Sequence, residues 1–141
     1  EDLGMIPSCV PLVMSQLQIL SLEIERMPKQ LGRLFALLSE IPYMSVCASS
    51  THDMSPIRAW WNEDRAITQR YYNEVLWKSG TAPMDCDVEL CRQIIVNHLH
   101  SPAMLCILPL QDWRTYKYPC RSQSLLAIQN APFYRRSDCR R

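Results

Sequence analysis

An apolar run that ends in a short polar loop and restarts as a helix constrains this chain more than any composition figure. Tyr43-Met44-Ser45-Val46-Cys47-Ala48 leads into Ser49-Ser50-Thr51-His52-Asp53-Met54-Ser55, and Ile57-Arg58-Ala59-Trp60-Trp61 leads out. The run has strand length, and the segment after Pro56 reads as a helix. The order is therefore strand, loop, helix. A histidine beside a carboxylate at the carboxyl end of a strand occupies the place where barrel and doubly wound enzymes keep their chemistry.

The same alternation extends along the chain. Ser8 offers an N-cap, and Val10, Val13, Met14 and Leu17 follow helical spacing, which predicts a helix from Cys9 to Gln18. Ile19 to Ile24 reads as a buried strand. Glu23 and Glu25 alternate with apolar neighbours, so one of them could face a site; the other reading is a solvated or ion-paired carboxylate. Leu31, Leu34, Phe35 and Leu38 predict an amphipathic helix, which Pro42 stops. Trp60 to Lys78 and Val88 to His100 read as two further helices, the second capped by Asp85 or Asp87. Ala103 to Leu110 reads as a buried strand with Gln111-Asp112-Trp113 at its end. Repeated strand–helix units imply parallel strands covered by helices, an α/β fold.

Composition narrows the function classes. A chain of 141 residues with 48% apolar and 21% charged residues has one-domain length and can pack a core. A net charge of +1 gives no electrostatic case for nucleic acid or an anionic membrane as partner. No apolar run approaches a membrane span, and no secretory leader is visible. Seven scattered cysteines, some inside apolar runs, suit free thiols in a reducing compartment, so a cytoplasmic protein is expected. Cys86, Cys91, His98 and His100 do not match a zinc spacing, and the two histidines fall on different helix faces.

Ser50-Thr51-His52-Asp53 followed by Arg58-Ala59-Trp60-Trp61 resembles the 4-α-glucanotransferases, the amylomaltases and disproportionating enzymes, in the long form typified by the plant cytosolic enzyme. Glu1-Asp2-Leu3-Gly4 resembles the motif that carries the catalytic acid/base of that family, and Leu110-Gln111-Asp112 resembles a third stretch of it. The resemblance covers Glu1 to about Trp113 and implies the C-terminal part of a (β/α)8 barrel, incomplete in this chain. A chain opening on Glu1 rather than methionine fits a piece of a longer product.

The resemblance also implies roles. Glu1 becomes the catalytic acid/base, and Asp53 the carboxylate that stabilises an oxocarbenium-like transition state and grips sugar hydroxyls. His52 becomes a sugar-binding neighbour; Arg58 and Trp60 are candidates for substrate binding or loop support. Asp112 is a candidate structural or sugar-adjacent carboxylate. The family's nucleophile has no position in this chain, so the chain alone is expected to be inactive. No cofactor or metal is implied. The implied partners are maltose, maltodextrins and glycogen-like or starch-like glucans.

Other readings of single residues stand beside these. Asp53 could cap the helix that starts at Ser55-Pro56. Trp60 could stack on a sugar or fill the core, whereas Trp61 is expected in the core. The whole chain could instead be a small helical interaction module, or a barrel glycosidase that transfers to water. Arg114 to Arg141 has neither helical nor strand period and is rich in Arg, Ser and Cys. Codons exist for Trp113 to Ala131 that, read one base out of frame, spell a stretch resembling the family's downstream segment. A frameshifted, irregular tail is therefore expected.

Overall fold

The computed structural model describes residues 2–4 and 6–117, without the side chains of residues 114–117. Three strands, β1 (Ser21–Ile24), β2 (Ser45–Ala48) and β3 (Leu105–Ile107), form one parallel sheet in the order β1-β2-β3. Glu23, Cys47 and Cys106 lie side by side across it. Helix α1 (Val10–Gln16) precedes β1; α2 (Ile57–Trp61), α3 (Arg65–Glu74) and α4 (Val88–Leu99) connect β2 to β3; α5 (Leu110–Lys117) follows β3. The α/β architecture with parallel strands read from the sequence is present.

Several local readings are corrected. Residues 31–38 form no helix; only a 3-10 turn, Leu38–Glu40, is present there. Gly32 sits at φ +82° and Leu31 is fully exposed, so the leucine spacing has no face to bury. Phe35, Ala36 and Leu38 turn inward instead, and the Ala36 amide donates to the Glu25 carbonyl. The stretch from Trp60 to Lys78 is two helices rather than one. Asp64, in an extended conformation, interrupts it and its carboxylate accepts from the Ala66 and Ile67 amides, a new N-cap. Ser8 caps nothing; Cys9 holds the N-cap position of α1 and supplies no side-chain bond. Gln111-Asp112-Trp113 are not a strand end, because α5 starts at Leu110 and runs on past Trp113. Arg114 to Lys117, expected to open an irregular tail, continue α5 instead; the rest of the tail reading, to Arg141, lies outside the described residues.

The main core lies among the helices. Ile57 and Trp61 of α2, Tyr71 of α3 and Leu90, Cys91, Ile94 and Ile95 of α4 are buried there with Phe35, Leu76, Ala82 and Cys86. Trp61 has no exposed surface, and its indole N–H donates to the Pro83 carbonyl at 3.0 Å. The ring thus buries fully without orphaning its one donor. Asp87 caps α4 through the Leu90 amide, and α5 docks on α4. A smaller cluster of Leu38, Ile41 and Cys47 sits against Ala103. The outer strand β3, expected to be buried, is not: Leu105 is 49% and Ile107 57% exposed.

Candidate active site

His52, Asp53 and the residues that hold their loop lie at the carboxyl ends of the strands. The loop after β2 begins in the interior, with Ser49 and Ser50 buried, and reaches solvent at its tip. The tip is a turn: the Met54 amide donates to the Thr51 carbonyl at 3.2 Å, and the Asp53 amide approaches the Thr51 hydroxyl at 3.3 Å. His52 and Asp53 occupy its centre, side chains 79% and 72% exposed, with His52 Nε2 3.1 Å from Asp53 Oδ2. Asp53 does not cap α2, since no side chain of the N-cap residue, Pro56, serves there.

That cap is supplied from the far end of the chain. The Ile57 amide donates to Asp112 Oδ1 at 2.8 Å. Asp112 Oδ2 accepts from the hydroxyls of Ser49 at 2.7 Å and Ser50 at 2.8 Å. One carboxylate therefore holds the first two loop residues and the start of the following helix. Asp112 is buried, so of its two readings the structure favours the structural one.

Arg26, just after β1, holds the loop from the other side. Its Nη2 donates to the Ser49 carbonyl at 2.7 Å and to the Ser55 carbonyl at 3.0 Å, the two ends of the loop. The guanidinium lies over the Trp60 ring, 4.9 Å from the centroid. Trp60 is half-buried and meets Tyr71 edge-to-face at 5.1 Å. Its neighbours thus include the group that ties down the loop.

Beneath Arg26 lies Glu25, a buried hydrogen-bonded acid rather than the solvated or ion-paired carboxylate that was one of its two readings. It is 3% exposed and accepts from the Tyr71 hydroxyl at 2.5 Å. Burial pushes its pKa up to about 7, although the Tyr71 hydrogen bond and Arg26 work to lower it. Burial and the facing Glu25 raise Tyr71 well above the usual phenol range. His98, also buried, donates from Nδ1 to the Ile94 carbonyl at 2.8 Å, and burial lowers its pKa, so it is a neutral imidazole. Its Nε2 lies 3.9 Å from Glu25 Oε2.

The remaining sequence candidates are placed differently. Glu1 lies outside the described residues, and with it the expected convergence of Glu1 and Asp53. Its neighbour Asp2 is fixed against the outer edge of β1, accepting from the Leu22 amide at 2.8 Å and from Lys29 at 2.6 Å. Burial acts to raise the Asp2 carboxyl, but Lys29 and the Leu22 amide outweigh it and hold it below the usual range. Glu23 is the ion-paired carboxylate, 2.8 Å from the same lysine. Asp2, Glu23 and Lys29 line a cavity of about 480 Å³ that Met14 of α1 and Met44 also face. Arg58 is half-buried with an enclosed Nε, and its charge acts on the Cys86 thiol. Among the described residues no group of three or more His, Cys, Asp or Glu side chains is arranged to hold a metal ion. Nor is any described helix long and apolar enough to cross a membrane.

Residues 1–132 match the sequence profile of glycoside hydrolase family 77, 4-alpha-glucanotransferase. The chain belongs to this family. The match continues past Trp113, where the motif resemblance ends. A relative from Oryza sativa subsp. japonica, the 4-alpha-glucanotransferase DPE2, is 43% identical over 112 residues, which are 79% of this chain and 12% of the rice protein. Amylomaltase from Streptococcus agalactiae, solved in complex with acarbose, superposes with a TM-score of 0.61 at 14% identity, over 79% of this chain and 22% of that one. That likeness bears on the fold. The chain thus spans about an eighth of the rice relative's length.

Proposed function

We propose that residues 1–113 are the C-terminal portion of the catalytic (β/α)8 barrel of a 4-alpha-glucanotransferase. This enzyme moves α-1,4-linked glucosyl units from maltose or maltodextrin to an acceptor glucan of the glycogen or starch type. The observation that carries the reading is the exposed His52–Asp53 pair, raised at the carboxyl end of a parallel strand in a chain of this family. Family membership alone gives the reaction class; the pair gives it a place in this chain.

The chemistry is that of two carboxylates flanking a glycosidic bond, with retention of configuration. Glu1, protonated, gives its proton to the leaving glycosidic oxygen. A carboxylate nucleophile, supplied by a part of the enzyme outside these residues, attacks the anomeric carbon and forms a glycosyl-enzyme ester. Glu1 then takes the proton from the acceptor's 4-hydroxyl as that oxygen displaces the ester and restores the α-1,4 link. Asp53 faces the positive charge that develops on the sugar ring, and His52 binds a hydroxyl beside it. Such a carboxylate works by standing where charge develops in the transition state. A fixed backbone turn with exposed side chains, as at 51–54, suits a ligand that brings its own hydroxyls.

Without the nucleophile, residues 1–141 turn over no maltose. Glucose release from maltose by the purified chain would overturn that part of the reading. The role of Asp53 is tested by Asp53→Asn in the full-length glucanotransferase carrying this segment, assayed as glucose released from maltose with glycogen as acceptor. Wild-type turnover in that variant would remove the carboxylate from the mechanism. The free thiols of Cys47 and Cys86 in the interior support a reducing, cytoplasmic setting. For Arg114 to Arg141 we keep the frameshift reading, and stop codons in the shifted frame of the gene would refute it.

A further inference from the structure

We propose that Arg26 and Asp112 are positioning residues that together set where the His52–Asp53 tip stands; the proposal rests on the glucan-transfer reading of that tip. Neither belongs to the loop, and neither reaches the tip. Arg26 follows β1 and joins the loop's two ends through the Ser49 and Ser55 carbonyls. Asp112 belongs to α5 and fixes Ser49, Ser50 and the first amide of α2. Four of these contacts are charge-assisted hydrogen bonds at 2.8 Å or less, and the three to Asp112 are buried.

The tip itself carries the Thr51 carbonyl turn bond, the long approach to the Thr51 hydroxyl and the exposed His52–Asp53 pair. The position of the tip is therefore inherited from its ends. Arg26 is suited to this by shape. One of its nitrogens, Nη2, donates to both carbonyls while the flat guanidinium rests on the Trp60 ring. A lysine keeps the charge but neither the plane nor the stacking. Asp112 is suited because a carboxylate only accepts, and all three of the donors named here point at it.

The test uses the full-length glucanotransferase carrying this segment, with Arg26→Lys as the principal variant and Asp53→Asn as the control. In R26K, kcat for maltose disproportionation with glycogen is expected to fall about 10- to 100-fold, while KM changes less than about threefold. Misplacing a group that acts on the transition state costs rate before it costs binding. Amide hydrogen exchange across residues 51–55 is expected to quicken about tenfold, with the amides of α4 unchanged. A purely structural role would lower the melting temperature and leave kcat per folded molecule and the exchange of 51–55 intact. If R26K does not melt cooperatively, Asp112→Asn, nearly the same shape, carries the same two measurements. The inference is overturned if kcat stays within twofold of wild type, or falls without faster exchange at 51–55, in an enzyme whose D53N variant is inactive. A D53N variant with wild-type kcat instead removes the glucan-transfer reading of the tip and the inference with it.

Discussion

The tip of the β2–α2 loop and the floor beneath it use the same kinds of side chain to opposite ends. Asp53 and His52 stand in solvent with their side chains 3.1 Å apart. Asp112, Arg26, Glu25 and His98 are wholly or largely enclosed, and each makes contacts with the fold around it. Charge at the tip is free to meet a ligand. Charge in the floor holds shape, because a buried ionic group deprived of a partner is expensive. A substitution at the tip should therefore touch activity and spare stability, whereas one in or around the floor should touch stability, and at Arg26 and Asp112, which hold the loop, activity as well.

The largest effect expected is at the tip. Asp53→Asn in the full-length enzyme should lower kcat by about a thousandfold, in the range for losing one preorganised electrostatic group. Its melting temperature should stay within about 1 °C of wild type, since exposed substitutions rarely move stability. A marked fall in melting temperature would break the contrast. Trp61→Ala, in the core that backs the floor, should cost about 3–5 kcal/mol in the unfolding of the surrounding domain. Denaturant titration measures it, and a loss under 1 kcal/mol would mean that the core is not closed around that ring.

Glu25 sharpens the comparison through pH. Its folded pKa of about 7 stands above the ordinary glutamate value of 4.5, so the folded protein binds this proton more tightly than the unfolded chain does. Its contribution is then fully favourable below about pH 4.5 and is lost as pH rises to 7, a total of about 3 kcal/mol. Glu25→Gln should remove that decline, giving a flatter melting temperature between pH 4.5 and 7. A wild-type melting curve already flat over this window would show that Glu25 stays charged in the fold. The smallest effect is Asp64→Ala, which deletes the cap of α3 and should cost about 1 kcal/mol by thermal melting, with kcat unchanged.

What the sequence disclosed follows the same division. The strands, the loop bearing His52–Asp53, the Asp87 cap and the burial of Trp61 were legible, because each rests on local pattern: an apolar run, a cap, a helical face. The turn at 31–38 was not, since its leucines follow helical spacing while Gly32 and the pull of the Glu25 carbonyl on the Ala36 amide decide the path. The break at Asp64 was missed because the apolar spacing continues across it; the aspartate was the signal that could have revealed it. The floor was invisible for a different reason. Arg26, Glu25, Tyr71, His98 and Asp112 are spread across the chain, and no short-range spacing announces that they will meet. Alternation flagged Glu25 without distinguishing a buried hydrogen-bonded acid from a solvated one.

The bond from Asp112 to Ser49, Ser50 and Ile57 has a consequence for how the molecule comes into being. More than fifty residues separate the carboxylate from each donor. During synthesis the ribosome has released the loop and the helices after it well before α5 emerges. Until then the two serines and the first amide of α2 have no such acceptor, and the turn is held from the β1 side alone. The loop proposed to receive sugar is therefore among the last parts of this segment to take its final shape.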